Sequence, residues 1–167
     1  FVLIVRDLIV IILMNRMMKK QTQAIHTQFR RRDAYNSLSM PVYHTAAYEF
    51  DNADDMADAF CGRTDAPDYS RVMNPTVTFF ENKVKELTGA AEVIALNSGM
   101  AAISNTLFSI AAAGKNIITS RHLFGNTYSF IAGTLSRFGV EPRLCDLTDI
   151  GAVEKVVDSN TCCIYVE

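Results

Sequence analysis

After Pro67 the chain alternates between apolar stripes at helical spacing and short apolar runs of strand length. Asn74 can cap a helix whose first residue is Pro75, where the missing N–H costs nothing. Val77, Phe80, Val84 and Leu87 fall on one stripe of that helix, and Gly89 stops it. "EVIAL" (Glu92 to Leu96) predicts a short strand. A helix follows from about Gly99, with Met100, Ile103, Leu107 and Ile110 on one face and Gly114 as its stop. "NIIT" (Asn116 to Thr119) is the next predicted strand, and Ile131, Leu135 and Phe138 mark another helix ended by Gly139. "VEPRLC" (Val140 to Cys145) and "CCIYV" (Cys162 to Val166) predict strands on either side of a last helix carrying Ile150, Val153 and Val157. Strands alternating with helices of this length imply right-handed crossovers and an α/β fold with a mostly parallel sheet.

Upstream the pattern is different. From Lys19 to Phe60 it is irregular and polar, and "SMPVYHTAAYEF" reads as an extended run because Pro41 restricts Met40 to extended geometry. Residues 18–66 are therefore expected to form an arm that packs on something else, with 67–167 as the first portion of the larger α/β domain. The opening "FVLIVRDLIVIILM" is apolar but interrupted by Arg6 and Asp7. It is shorter than the roughly 20 residues a membrane helix needs and lacks the basic start and small-residue cleavage site of a signal peptide. Residues 1–17 are expected to be non-native or leader-like, the alternative being a membrane-associating helix.

Composition narrows the function classes. The 167 residues are 49% hydrophobic and 20% charged, which suits a globular chain, and the net charge of -2 gives no electrostatic footprint for nucleic acid. The four cysteines form no CxxC pair, and His26, His44 and His122 make no metal-ligand spacing, so no metal is expected and a reduced, cytoplasmic setting is the default.

Two stretches carry candidate chemistry. In "LNSGMAA", Ser98 is a good N-cap and Gly99 allows close backbone approach, so the free N–H groups of Gly99 and Met100 would face an anion favoured by the helix dipole. In "YSRVMNPT", Arg71 offers planar bidentate donors and Tyr69 a hydroxyl, both suited to phosphate. Taken singly, the first is an ordinary helix cap, and the second is a surface charge beside a packed aromatic.

"YSRVMNPT", "LNSGMAAI" and "HLFGNTYSF", in that order and at these separations, resemble the pyridoxal-phosphate enzymes of cysteine and methionine metabolism. That family includes O-acetylhomoserine sulfhydrylase, cystathionine γ-synthase, cystathionine γ-lyase and methionine γ-lyase. "MPVYHTAAYEF" is similar to the family's N-terminal arm, and the resemblance runs from about Ala24 to Glu167. It implies the N-terminal part of a fold-type I transferase with pyridoxal 5'-phosphate as cofactor. It implies that Ser98, Gly99 and Met100 hold the cofactor phosphate, and that Tyr69 and Arg71 reach the phosphate bound by a neighbouring subunit. Phe124 occupies the position where many members stack a tyrosine on the pyridine ring. Active sites would then be shared across a homodimer, commonly paired into a homotetramer.

Phe124 departs from that tyrosine. Phenylalanine keeps a ring contact of about 0.5–1.5 kcal/mol but supplies no hydroxyl for proton transfer to a departing γ-group. The resemblance thus implies γ-substitution of an O-acylhomoserine by sulfide or a thiol, with a synthase, a methionine or cystathionine γ-lyase, or a non-catalytic fragment as alternatives. None of Lys19, Lys20, Lys83, Lys85, Lys115 and Lys155 matches the family's Schiff-base lysine, so that lysine is expected downstream and the chain alone is expected to be inactive. A dinucleotide binder is disfavoured because no GxGxxG follows a strand.

Overall fold

The computed structural model describes residues 19–26, 33 and 35–167. The expectation for residues 1–17 lies outside the described residues, as do parts of the arm. What is described divides into two compact units, one ending at Ala95 and one beginning at Leu96.

The first unit holds α1 (Lys20–His26), α2 (Ala53–Phe60) and α3 (Pro75–Thr88). The first two lie in the stretch expected to be irregular. α2 forms because Asn52 accepts the Asp55 N–H at 2.8 Å while Asp54 and Asp55 place negative charge on its first turn. α3 starts at Pro75 under the Asn74 cap and ends at Gly89, whose φ of 73° is the left-handed geometry that releases a helix. Its expected apolar stripe is not buried: Val77 is 41% and Phe80 55% exposed.

The second unit holds α4 (Gly99–Ile110), β1 (Asn116–Thr119), α5 (Gly125–Ser129), β2 (Glu141–Leu144), α6 (Ile150–Val156) and β3 (Thr161–Tyr165). α5 widens into a π-helical segment over Phe130–Leu135. The strands are parallel in the order β2-β1-β3, with Ile117 opposite Pro142 and Cys163. Pro142 lacks an N–H, which an outer strand tolerates. β1 is buried throughout, and Ile117 packs in a core with Leu107, Ile131, Leu135 and Val140. Its polar members are satisfied: the Asn116 amide donates to Asp158 at 2.9 Å, and the Thr119 hydroxyl donates to the Tyr165 carbonyl at 2.9 Å.

Three expectations are corrected here. "EVIAL" forms no strand: residues 92–96 carry no regular secondary structure, and the Ala95 N–H donates to the Glu81 carboxylate at 2.8 Å. α4 ends at Ile110 rather than Gly114, since Ala111 is already extended at ψ 141°. Phe138 stands 62% exposed rather than on the buried stripe. The π-helical segment buries Ile131 and Leu135, and Phe138 meets Phe108 edge-on at 6.0 Å instead.

Candidate functional site

In the second unit the start of α4 presents donors. The Ser98 hydroxyl accepts the Ala101 N–H at 3.0 Å, and the Ser98 carbonyl accepts the Ala102 N–H at 3.0 Å. Those bonds leave the N–H groups of Gly99 and Met100 with no partner among the described residues. A Cβ built on Gly99 meets nothing within 4 Å outside its chain neighbours and the backbone of its own helix, so a side chain there would enter open space. Two unspent amides at the positive end of a twelve-residue helix fit a phosphate group.

The start of α5 lies in the same unit. The Thr127 hydroxyl is fully buried and lies 3.9 Å from the Met100 sulfur. It also donates to Glu167 at 2.9 Å, while the Phe124 N–H donates to the other oxygen of that carboxylate at 2.7 Å. Phe124 has no side-chain cap of its own to offer, so Glu167 serves as the acceptor at this helix start. The Phe124 N–H, followed by the Thr127 and Tyr165 hydroxyls, holds the Glu167 carboxyl below its ordinary value. The Phe124 ring is left 65% exposed. Glu167 and Thr127 are not singled out by sequence reasoning, because the contact joins residues forty positions apart. These groups follow the carboxyl ends of β1 and β3, where open parallel sheets place their ligand loops.

In the first unit Tyr69 and Arg71 occupy one turn. The Tyr69 carbonyl accepts the N–H groups of Val72 and Met73 at 2.8 and 2.9 Å. The Arg71 guanidinium lies over the Tyr69 ring, 5.2 Å from its centre. Neither the Tyr69 hydroxyl nor the guanidinium has a hydrogen-bond partner among the described residues. They line an open groove of about 560 Å³ together with Tyr43, His44 and Ser70. The extended arm segment supplies its other wall: Ala47 bridges Tyr69 in antiparallel fashion, and the Ser70 N–H donates to the Ala46 carbonyl at 2.9 Å. The structure thus brings Ser98, Gly99 and Met100 together, adds Phe124 within the same unit, and brings Tyr69 to Arg71.

Two of the lysines have partners among the described residues. Lys85 pairs with Glu92 at 2.6 Å, and Lys83 lies over the Phe79 ring. Burial pushes the Cys163 thiol up to about 11, which keeps it protonated at neutral pH. Among the described residues there is no group of three His, Cys, Asp or Glu that could hold a metal, and no helix is long and apolar enough to cross a membrane.

The family model for Cys/Met metabolism PLP-dependent enzymes matches residues 21–167. The chain belongs to that family. An L-methionine gamma-lyase of Fusobacterium nucleatum subsp. polymorphum is 34% identical over 146 residues, which is 87% of this chain and 37% of that protein. The homocysteine synthase of Schizosaccharomyces pombe is 33% identical over 147 residues, or 88% of this chain and 34% of that one. Among solved structures, a Campylobacter jejuni protein assigned as an O-acetylhomoserine (thiol)-lyase superposes with a TM-score of 0.81 at 36% identity, covering 89% of this chain and 36% of that one. That structure carries N'-pyridoxyl-lysine-5'-monophosphate. The chain therefore spans little more than a third of the length of these relatives, and its fold is that of the N-terminal part of a fold-type I PLP-dependent transferase.

Proposed function

We propose that this chain supplies the phosphate-anchoring part of a pyridoxal 5'-phosphate enzyme of sulfur amino-acid metabolism, whose reaction is γ-substitution on an O-acylhomoserine. The observation that carries the reading is the start of α4, where two unspent amides, a capped helix and open space coincide at Ser98, Gly99 and Met100. These donors bind the cofactor phosphate. Tyr69 and Arg71 bind the phosphate held by a neighbouring subunit, so the working assembly is a homodimer or a homotetramer of two such dimers. Phe124 stacks on the cofactor ring, and Glu167 steadies the helix start from which it projects. When bound, the cofactor supplies an electron sink for chemistry at the amino-acid substrate, and the lysine that links to it is contributed from outside these residues. The setting is cytoplasmic.

Phe124 favours substitution, because an acetate leaving group needs less proton assistance than a thiol and this side chain has none to give. The second reading, elimination by a γ-lyase, is supported by the L-methionine gamma-lyases among its relatives. Assaying the complete enzyme with O-acetylhomoserine and sulfide, against methionine alone, separates the two. Homocysteine formation is expected to exceed methanethiol release, and Phe124→Tyr is expected to raise the latter. Methanethiol release as the faster reaction overturns substitution in favour of the lyase, and an enzyme without a cofactor absorbance band overturns both.

A further inference from the structure

Asn74 makes three side-chain bonds, and one of them is the helix cap. Its Oδ1 accepts the Thr76 N–H at 2.9 Å at the start of α3. Its Nδ2 faces the other way, donating to the Tyr43 carbonyl at 3.0 Å and to the Ser70 hydroxyl at 2.9 Å. The residue is only 9% exposed, so these donors have little water to fall back on.

Ser70 completes the set. Its hydroxyl donates to the Thr45 carbonyl and has two lone pairs left. Asn74 Nδ2 uses one, and the Tyr48 hydroxyl, 3.1 Å away, can use the other. Ser70 is the residue between Tyr69 and Arg71, so whatever fixes Ser70 fixes the turn that carries both donors.

We propose that Asn74 is a positioning residue for phosphate binding: through the two bonds from Nδ2 it clamps the Tyr69–Arg71 turn to the arm segment around Tyr43 and Thr45. The proposal rests on the phosphate reading above. A cap needs only an acceptor, and aspartate caps as well as asparagine. The amide nitrogen is what aspartate lacks, and a carboxylate oxygen would meet the Tyr43 carbonyl as acceptor against acceptor.

The test compares Asn74→Asp and Ser70→Ala with the unaltered protein in its assembled form. Hydrogen exchange at Ser70, Val72 and Met73 reads the turn, exchange along α3 reads the cap, and equilibrium dialysis with pyridoxal 5'-phosphate reads the site. Both variants are expected to speed exchange in the turn by about tenfold, the loss of roughly one net hydrogen bond, while α3 keeps its protection. Affinity for pyridoxal 5'-phosphate is expected to fall about five- to tenfold in Asn74→Asp, and to show no further fall when Asn74→Asp is added to Arg71→Ala. Ser70→Ala leaves the cap untouched and keeps the test decisive if Asn74→Asp disturbs α3. Unchanged turn exchange in both variants overturns the proposal. So does a loss of affinity from Asn74→Asp that is equally large when Arg71 is already alanine. Unchanged affinity in Arg71→Ala alone removes the phosphate reading, and exchange then decides whether the clamp exists.

Discussion

The region from Leu96 onward surrounds β1 with Leu107, Ile131, Leu135 and Val140, and the polar side chains of β1 bond to the Asp158 carboxylate and the Tyr165 carbonyl. Around Tyr69 and Arg71, by contrast, order comes from side chains of Ser70, Asn74 and Thr76 bonded to backbone groups of residues 41–45. Ala59 is the buried apolar residue described before Leu96, while Val42 and Val72 stand 67% and 71% exposed. The two candidate phosphate-binding elements therefore differ in kind. One is the end of a helix anchored by buried apolar surface. The other is a polar stitch that water can compete with, and it keeps its donors aligned only while each bond holds.

That contrast is broken most forcefully in the core. Leu107→Ala is expected to cost about 2–5 kcal/mol, because Leu107 is 2% exposed at the centre of the cluster. Urea unfolding followed by circular dichroism measures it, and a cost well under 1 kcal/mol would mean that this core does not hold the unit. Thr76→Val tests the other side. Its hydroxyl donates to the Pro41 carbonyl at 3.0 Å and accepts the Tyr43 N–H at 2.9 Å. Removing it is expected to cost about 1–3 kcal/mol. The cost should appear as faster hydrogen exchange near Tyr43 and Ser70, with β1 unaffected; an equal rise along β1 would erase the distinction between the regions.

The smallest effect expected is a pH dependence of the sheet region. The Asn116 amide, then the Arg143 guanidinium, lowers Asp158 from 3.8 to about 2. A depressed carboxyl stabilises the fold fully above its unfolded value and loses that contribution as pH falls through its folded value. Stability is thus expected to decline between about pH 4 and pH 2, and Asp158→Asn should flatten that part of the profile in urea midpoints. An unchanged slope would show that the bonds to Asp158 contribute nothing in solution.

What could be read from the sequence was local. The caps at Asn74 and Ser98 and the left-handed Gly89 are set by a few adjacent residues and stand where expected. α2 had a comparable signal in Asn52 followed by Asp54 and Asp55, and the irregular apolar pattern around it obscured that signal. "EVIAL" was misread because a strand requires a partner, which apolarity does not supply. The stripe through Phe138 assumed a period of 3.6, and the π-helical segment changes the period. Of the candidate site, the donors at Ser98–Met100 and Tyr69–Arg71 were visible as motifs. The second face of Asn74 and the bond from Phe124 to Glu167 were not, since they join residues 31 and 43 positions apart.

Whether Arg71 meets a phosphate is decided by comparing two ligands. Pyridoxal 5'-phosphate and pyridoxal differ only in the phosphate group, so the ratio of their affinities for the complete enzyme isolates phosphate binding. Arg71→Ala is expected to narrow that ratio by about tenfold or more, the effect of losing charge-assisted bonds, while leaving pyridoxal affinity unchanged. An unaltered ratio, with both ligands bound as before or both weakened alike, would show that Arg71 meets no phosphate.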